Sequence, residues 1–343
     1  MKKLTIRLLC VIFSFVMLTG CGNSQKGAIT EENLTKEAVV DTDERESKKF
    51  IDDDNKEIII ERPFEKIIVL YSAHAENLYT LGAKDKIIGA HKTCVYPPEV
   101  SLLPAFDYNG DPEAVIAEDP DCVLIRPHIS DKVPDFVSAI ENAGITVVSL
   151  YPSKFEDFDE YIEKLAMLTG SEDVAKTELE KFHQNLDKIS SITTSILEEE
   201  KQKVFFESTE TNYRTVTSDS MAGIAIDIAG GINVAKDAQP ASAGSSIASF
   251  GEEKILELAD EIDAYICQQG AMNSGVDEHS INIRPGFDTI KAVKEGRILL
   301  INEKIISSPT FRYYEGVSEI ARFLYPEYMK ILEDYETEEP ANK

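Results

Sequence analysis

Apolar positions along this chain follow two rhythms, short unbroken runs and longer stretches that repeat every three to four residues. Among the short runs, EIII from Glu57 reads as a strand that Arg62-Pro63 breaks. KIIVLY, Lys66 to Tyr71, is the continuous apolar type found where a parallel strand is covered on both faces. A helix is predicted from Ser72 to Leu81, with Ser72 as its N-cap and Gly82 as its stop. KIIGAH then gives a strand, Asp111 to Glu118 a helix, Asp121 to Arg126 a strand, Asp135 to Ala143 a helix closed by Gly144, and Ile145 to Tyr151 a strand. Strand and helix alternate with short loops between them, the grammar of a βαβ-built parallel sheet.

The longer rhythm dominates the middle. Phe155 to Leu168 predicts one helix, and Ser171 to about Glu200 a second with no Gly or Pro inside it. Val174, Leu179, Phe182, Leu186, Ile189, Ile192 and Ile196 mark one apolar stripe, while Glu172 and Asp173 suit the positive end of the helix dipole beside an N-capping Ser171. At ~1.5 Å per residue such a rod spans roughly 40 Å. Beyond it the strand and helix grammar returns: strand Lys203 to Ser208, helix Ser218 to Ala229 ended by Gly230-Gly231, helix Glu252 to Ala259, strand AYICQ, short helix Phe287 to Ala292, strand RILLIN, and an amphipathic helix from Tyr313 to Tyr325 and on to Tyr335. The halves echo one another, since EAVIAEDPDCVLIRP from Glu113 and EKILELADEIDAYICQQ from Glu253 share an acidic helix start, an Asp-marked turn and a strand. The expected fold is α/β: two parallel-sheet lobes, residues 58–152 and 202–343, joined by bridging helices in 153–201 that are dominated by one long backbone helix.

The N-terminus alters this picture. Lys2, Lys3 and Arg7 precede the apolar run Leu8 to Leu18, too short for a membrane span and of signal-peptide length. Leu18-Thr19-Gly20-Cys21 follows and resembles the lipobox of bacterial lipoproteins, in which Cys21 becomes the lipidated N-terminus. Residues 1–20 are then a signal peptide. Residues 22–57 carry 11 acidic and 6 basic residues with no periodicity, so residues 21–57 read as a lipidated Cys and a flexible acidic tether. The expected location is the outer face of the cell membrane.

The formal net charge of −27 becomes three units more negative once Lys2, Lys3 and Arg7 are removed, which argues against nucleic-acid binding. Cys94, Cys122 and Cys267 show neither CxxC nor Cys/His spacing, and Cys122 and Cys267 sit in apolar runs as small hydrophobes. No GxSxG, Walker loop, HExxH or strand-following GxGxxG is present, so nothing in the chain calls for an enzyme or a resident cofactor.

Ligands of parallel sheets bind beyond the carboxyl ends of the strands. Those positions hold Tyr71, Ser72 and His74 after the first core strand, His91 after the second, with Tyr96 further along that loop, Arg126 and His128 after the third, and Tyr151 after the fourth. The second half offers Tyr213, Arg214, Gln268, Gln269, Met272, Arg284 and Arg312. Arginines and tyrosines at a cleft suit a large anionic or aromatic ligand. His74, His91 and His128 leave direct metal binding open, or an axial bond to a chelated metal.

Taken together, the lipobox, the acidic tether, RPFEKIIVLYSAHAENLYTLGAKDKIIGA, DPEAVIAEDPDCVLIRP, AGGINVAKDA, GFDTIKAVKEGRILLIN and SPTFRYYEGVSEIARFLYPE resemble the class III substrate-binding proteins of ABC importers for ferric siderophores, haem and cobalamin, over about Arg62 to Pro326. The resemblance implies two α/β lobes bridged by a helix, a metal chelate held between them, modest closure, action as a monomer, and delivery to a permease and its ATPase. It also implies one acidic docking residue per lobe, Glu76 and Glu253, with Glu252 the alternative to the second. A ferric siderophore is the first expected ligand, with haem and cobalamin as alternatives and a direct metal-binding surface lipoprotein behind them.

Overall fold

The computed structural model describes residues 47–330. Cys21, the signal peptide and residues 331–343 lie outside these, and the first described element already shortens the expected tether. Strands β1 (Lys48–Ile51) and β2 (Glu57–Ile60) form an antiparallel hairpin, with Ile58 and Ile60 buried and Ile59 between them exposed. The partner strand β1 is exposed at three of its four positions and half-buried at Phe50, so it carries no apolar alternation to mark it as a strand.

The first lobe is a five-stranded parallel sheet of β3 (Ile67–Val69), β4 (Ile87–His91), β5 (Ala105–Phe106), β6 (Cys122–Ile125) and β7 (Thr146–Ser149), in the spatial order β5-β4-β3-β6-β7. The second contains β8 (Lys203–Glu207), β10 (Ile232–Asn233), β12 (Ala264–Gln269) and β13 (Ile298–Asn302), also parallel, in the order β10-β8-β12-β13. A short antiparallel pair, β9 (Thr215–Val216) with β11 (Ile247–Ala248), lies beside it. Apart from the extra β5, the lobes share one order: the first strand of each pairs with the second on one side and the third on the other. The sequence echo between Glu113 and Glu253 is therefore topological, with β6 and β12 in the same place.

Alternation along the strands sorts the core. Ile67, Val69, Cys122 and Leu124 face one way in the first lobe, and Val204, Phe206, Ala264 and Ile266 in the second. All eight belong to one continuous apolar cluster that includes Phe158, Phe182, Leu186 and Ile189 of the bridging helices. The intervening Ile68 and Val123, and Phe205 and Tyr265, face separate outer cores. The two lobes thus share their inner core, packed on the same bridging elements.

Those elements are the helices Phe158–Thr169 and Glu172–Thr193. Gly170, at φ +72, ends the first in the left-handed conformation that favours glycine. The long helix departs from expectation in three ways. It stops at Thr193, not Glu200, because its last turns hold Ser191, Thr193, Thr194 and Ser195. Ser191 donates to the Lys188 carbonyl (2.7 Å), Thr194 to Ser190 (2.8 Å), Ser195 to Ile192 (2.6 Å), and Thr193 to Ile228 outside the helix (2.7 Å). Side-chain hydroxyls bonded to carbonyls offer the backbone an alternative to continued helix. Val174 is exposed, and Ala175 takes its place on the buried stripe. Ser171 makes no side-chain cap, its hydroxyl pairing instead with Thr169 at 2.8 Å.

The terminal helix Tyr313–Leu324 packs on the bridging helix, on Met221–Ile228 and on the turn Glu303–Ile306. Gly316 permits that approach, since a Cβ there would collide with the Ile305 carbonyl. The turn is thereby pressed into place beneath the space between the lobes.

Candidate ligand-binding site

Loops at the carboxyl ends of the strands in both lobes enclose a cleft of about 1240 Å³. One wall comes from the first lobe, through Tyr71, Ser72, His91, Tyr108, Arg126 and His128. The other comes from the second lobe, through Ser208, Gln268, Met272 and the serine-rich loop 242–246. The floor is the turn of Lys304, Ser307 and Ser308, together with Tyr161 and Lys164 of the first bridging helix.

Arg126 is the central cation of the first wall. It follows β6, where the extended backbone before Pro127 turns it toward the neighbouring strand ends. Its guanidinium carbon lies 4.7 Å from the Tyr71 ring centroid and 5.8 Å from that of Tyr151. Two aromatic faces against one guanidinium fix its orientation. Burial, and next the neighbouring Tyr151, push the Tyr71 hydroxyl well above the ordinary range, so it stays a neutral donor. His91 stacks on Tyr108 (4.9 Å, 17° between planes), and its Nδ1 is 2.7 Å from the Thr93 hydroxyl. Burial holds the pKa of His91 below the usual histidine value, although the Asp107 carboxylate pulls the other way. Burial first, then the charges of Arg126 and Lys132, lower that of His128.

The floor ties the lobes together. Lys304 Nζ of the second lobe donates to Ser72 Oγ of the first at 3.0 Å. Ser307 Oγ donates to Gln268 Oε1 at 2.5 Å, and Gln268 Nε2 to the Ser208 carbonyl at 2.8 Å. Behind the cleft, Asn77 Nδ2 reaches the Pro309 carbonyl at 2.8 Å. Ser72 therefore bonds across the lobes and does not cap its helix, which Tyr71 precedes instead.

Of the residues expected from the sequence, Tyr71, Ser72, His91, Arg126, His128, Tyr151, Gln268 and Met272 line this cleft, and seven do not. His74 is fully buried, with Nδ1 2.8 Å from the Tyr161 hydroxyl and Nε2 2.9 Å from the Ile125 carbonyl, so neither ring nitrogen is available to a ligand. Gln269 points away from the cleft and donates to the Val276 carbonyl at 3.2 Å, because successive strand residues face opposite sides. Of the two expected glutamines, only Gln268 faces the cleft. Arg284 is 8% exposed and held by Glu207 at 2.6 and 3.1 Å. Burial opposes its charge, and the contacts with Glu207 outweigh that opposition. Tyr213 packs on Phe287 and under Arg284, and Arg214 also lies outside the cleft lining. Arg312 pairs with Glu76 at 2.7 and 2.8 Å, and its guanidinium covers the Tyr96 ring at 3.6 Å. Glu76, only 6% exposed, is thus an internal partner of Arg312 and not a surface for docking. Among the described residues no three His, Cys, Asp or Glu side chains converge as a metal-ion site.

Residues 67–305 match the family model described as periplasmic binding protein. The chain belongs to the periplasmic binding protein family. It is 27% identical over 334 residues to the ABC transporter substrate-binding lipoprotein YvrC of Bacillus subtilis, covering 96% of this chain and 100% of that one. It is 24% identical over 283 residues to a cobalamin-binding protein of Halobacterium salinarum, with 79% and 72% covered. A crystal structure of a periplasmic solute-binding protein from Staphylococcus epidermidis superposes with a TM-score of 0.66 at 25% identity, covering 77% of this chain and all of that one. Membership of this family makes the protein a binder of a solute and not an enzyme.

Several cleft residues of this periplasmic binding protein escaped the sequence reading. Lys304, Ser307 and Ser308 follow β13, and the strand-end rule reaches them once it is extended to that loop. Loop 242–246, SAGSS, precedes the two-residue strand β11, too short to leave a strand signal. Tyr108 follows β5, which has the same length.

Proposed function

We propose that this protein is the extracytoplasmic, lipid-anchored substrate-binding component of an ABC importer, and that its interlobe cleft captures a metal chelate. The size of the cleft carries this reading: about 1240 Å³ exceeds the ~300–1,000 Å³ of ordinary small-molecule sites, and both lobes contribute to its walls. Hydroxyl groups and tyrosine rings dominate those walls, as a bulky multidentate chelate of siderophore or corrinoid type requires. The lipoprotein relative supports anchoring through Cys21, and the cobalamin-binding relative supports a ligand of this bulk. Direct binding of a bare metal ion loses its basis with His74, both of whose ring nitrogens are occupied.

Docking to the permease falls to a different pair from the one the sequence suggested. Glu113 opens the helix Glu113–Ile116 ahead of β6, and Glu252 and Glu253 open Glu252–Glu257 ahead of β12. The shared strand order makes these helices equivalent, and all three carboxylates are exposed. Glu113 and Glu253 are the proposed acidic pair, with Glu252 beside the second.

Absorbance titration of the purified protein with ferric siderophores, cobalamin and haem tests the proposed ligand class, and saturable binding of at least one is the expected result. Cys21→Ala tests the anchor. Release of the protein from the membrane fraction is expected, and undiminished retention would refute lipidation.

A further inference from the structure

Resting on the reading of the cleft as a chelate site, we infer that it selects a neutral or cationic chelate bearing no more than one anionic group, which is seated against Arg126, and that it rejects polyanionic chelates. The ionisable side chains of the lining carry this. Three are cationic: Arg126, Lys164 and Lys304. Five are carboxyl-bearing: Asp53, Asp131, Asp157, Glu160 and Glu303. Even with Asp53 set aside, whose carboxyl burial pushes upward, the carboxyl groups outnumber the cations.

The cations are not equally available. Lys164 pairs with Glu160 at 2.9 Å. Lys304 lies 3.7 Å from Glu303 and spends a proton on Ser72. Arg126 has no ion-pair partner among the described residues and is held between the Tyr71 and Tyr151 faces, which leave its N–H edge for a ligand. His91 and His128 add no charge at neutral pH, both being held below the usual histidine value. The arginines that would have made the cleft strongly basic are neutralised elsewhere, Arg284 by Glu207 and Arg312 by Glu76. A tris-catecholate ferric chelate or haem, with its pair of propionates, would bring several negative charges to a space with one free guanidinium and an excess of carboxyl groups. Like charges brought together across a binding surface repel and disfavour the wrong partner. The eight serines and four tyrosines of the lining hydrogen-bond equally well to the amides of a corrinoid or the hydroxamates of a ferric chelate.

The test is a set of fluorescence and absorbance titrations of the full-length mature protein in detergent. The probes are cyanocobalamin, ferrioxamine B, a tris-catecholate ferric siderophore and haem. We expect cyanocobalamin or ferrioxamine B to bind at least about a hundredfold more tightly than either polyanion. Arg126→Ala should weaken cyanocobalamin, through its single phosphodiester, by about tenfold or more, leave ferrioxamine B within about threefold, and be partly rescued by Arg126→Lys. Neutralising Asp131 and Asp157 to Asn should narrow the gap to the tris-catecholate. Tighter binding of a polyanion, or a gap that the Asn variants leave unchanged, overturns this inference while leaving the chelate-binding function intact. Failure of all the probes to bind overturns both.

Discussion

Glu76 and Arg312, 236 positions apart in the chain, meet in a two-pronged ion pair, Nε to Oε1 at 2.7 Å and Nη2 to Oε2 at 2.8 Å. Glu76 belongs to the helix after the first strand of the first lobe, and Arg312 precedes the terminal helix of the second. With Asn77 on the Pro309 carbonyl and Lys304 on Ser72, the pair fastens the two lobes at the back of the cleft.

Glu76→Gln leaves Arg312 without its carboxylate and should cost about 3 kcal/mol of stability, the low end for a buried pair because Arg312 is partly exposed, read as a lower denaturant midpoint at unchanged slope. Replacing both residues by Met should recover part of the loss, because no unpaired charge then remains. A Glu76→Gln protein as stable as the parent would show that the pair does not hold the lobes.

Acid should destabilise the protein through His74. Burial drops its pKa to about 4 from an ordinary value of 6.5. A base whose folded pKa lies below its unfolded one takes up protons first in the unfolded state, so stability falls as pH drops through that interval. The loss over the window is about 3 kcal/mol. His74→Gln should lose less stability than the parent between pH 7 and 4 in equilibrium denaturation, and matching curves would place the acid sensitivity elsewhere.

The parity of β12 makes a sharp contrast. Gln268 orients Ser307 at the cleft wall, whereas Gln269 bonds to Val276 on the other side. Gln268→Ala should weaken chelate binding by about fivefold or more, and Gln269→Ala should leave it nearly unchanged. Equal effects in a titration would contradict the assignment of faces.

Charge reversal of Glu113 together with Glu253 should abolish cellular uptake while chelate affinity stays at the parental value. Radiolabel or growth assays read the first and titration the second. Full uptake in the double variant would remove these carboxylates from docking.

What the sequence made legible was whatever depends on neighbours in the chain. Unbroken apolar runs located β3, β6, β8 and β12, and the strand-end rule found Tyr71, His91, Arg126 and His128. Partners distant in the chain were not legible. Arg284 finds Glu207 77 positions away and Arg312 finds Glu76 at 236, and these pairings turned two expected ligand contacts and one expected docking residue into internal ion pairs. His74 sits at a strand end but on the buried side of its helix, where Tyr161 and the Ile125 carbonyl claim it. The long helix ends earlier than its apolar pattern suggests: the periodicity continues through Ile196, while the hydroxyl groups that stop the helix carry no periodic signal.

A shared inner core and a fastened back wall mean that the cleft is largely preformed. Crystal structures of the protein without ligand and with a bound chelate test this most directly. The account predicts ligand density between Arg126 and loop 242–246, with the lobes in nearly the same relation and Glu76 still paired with Arg312. Ligand bound elsewhere, or a wide lobe rotation that breaks this pair, would contradict it.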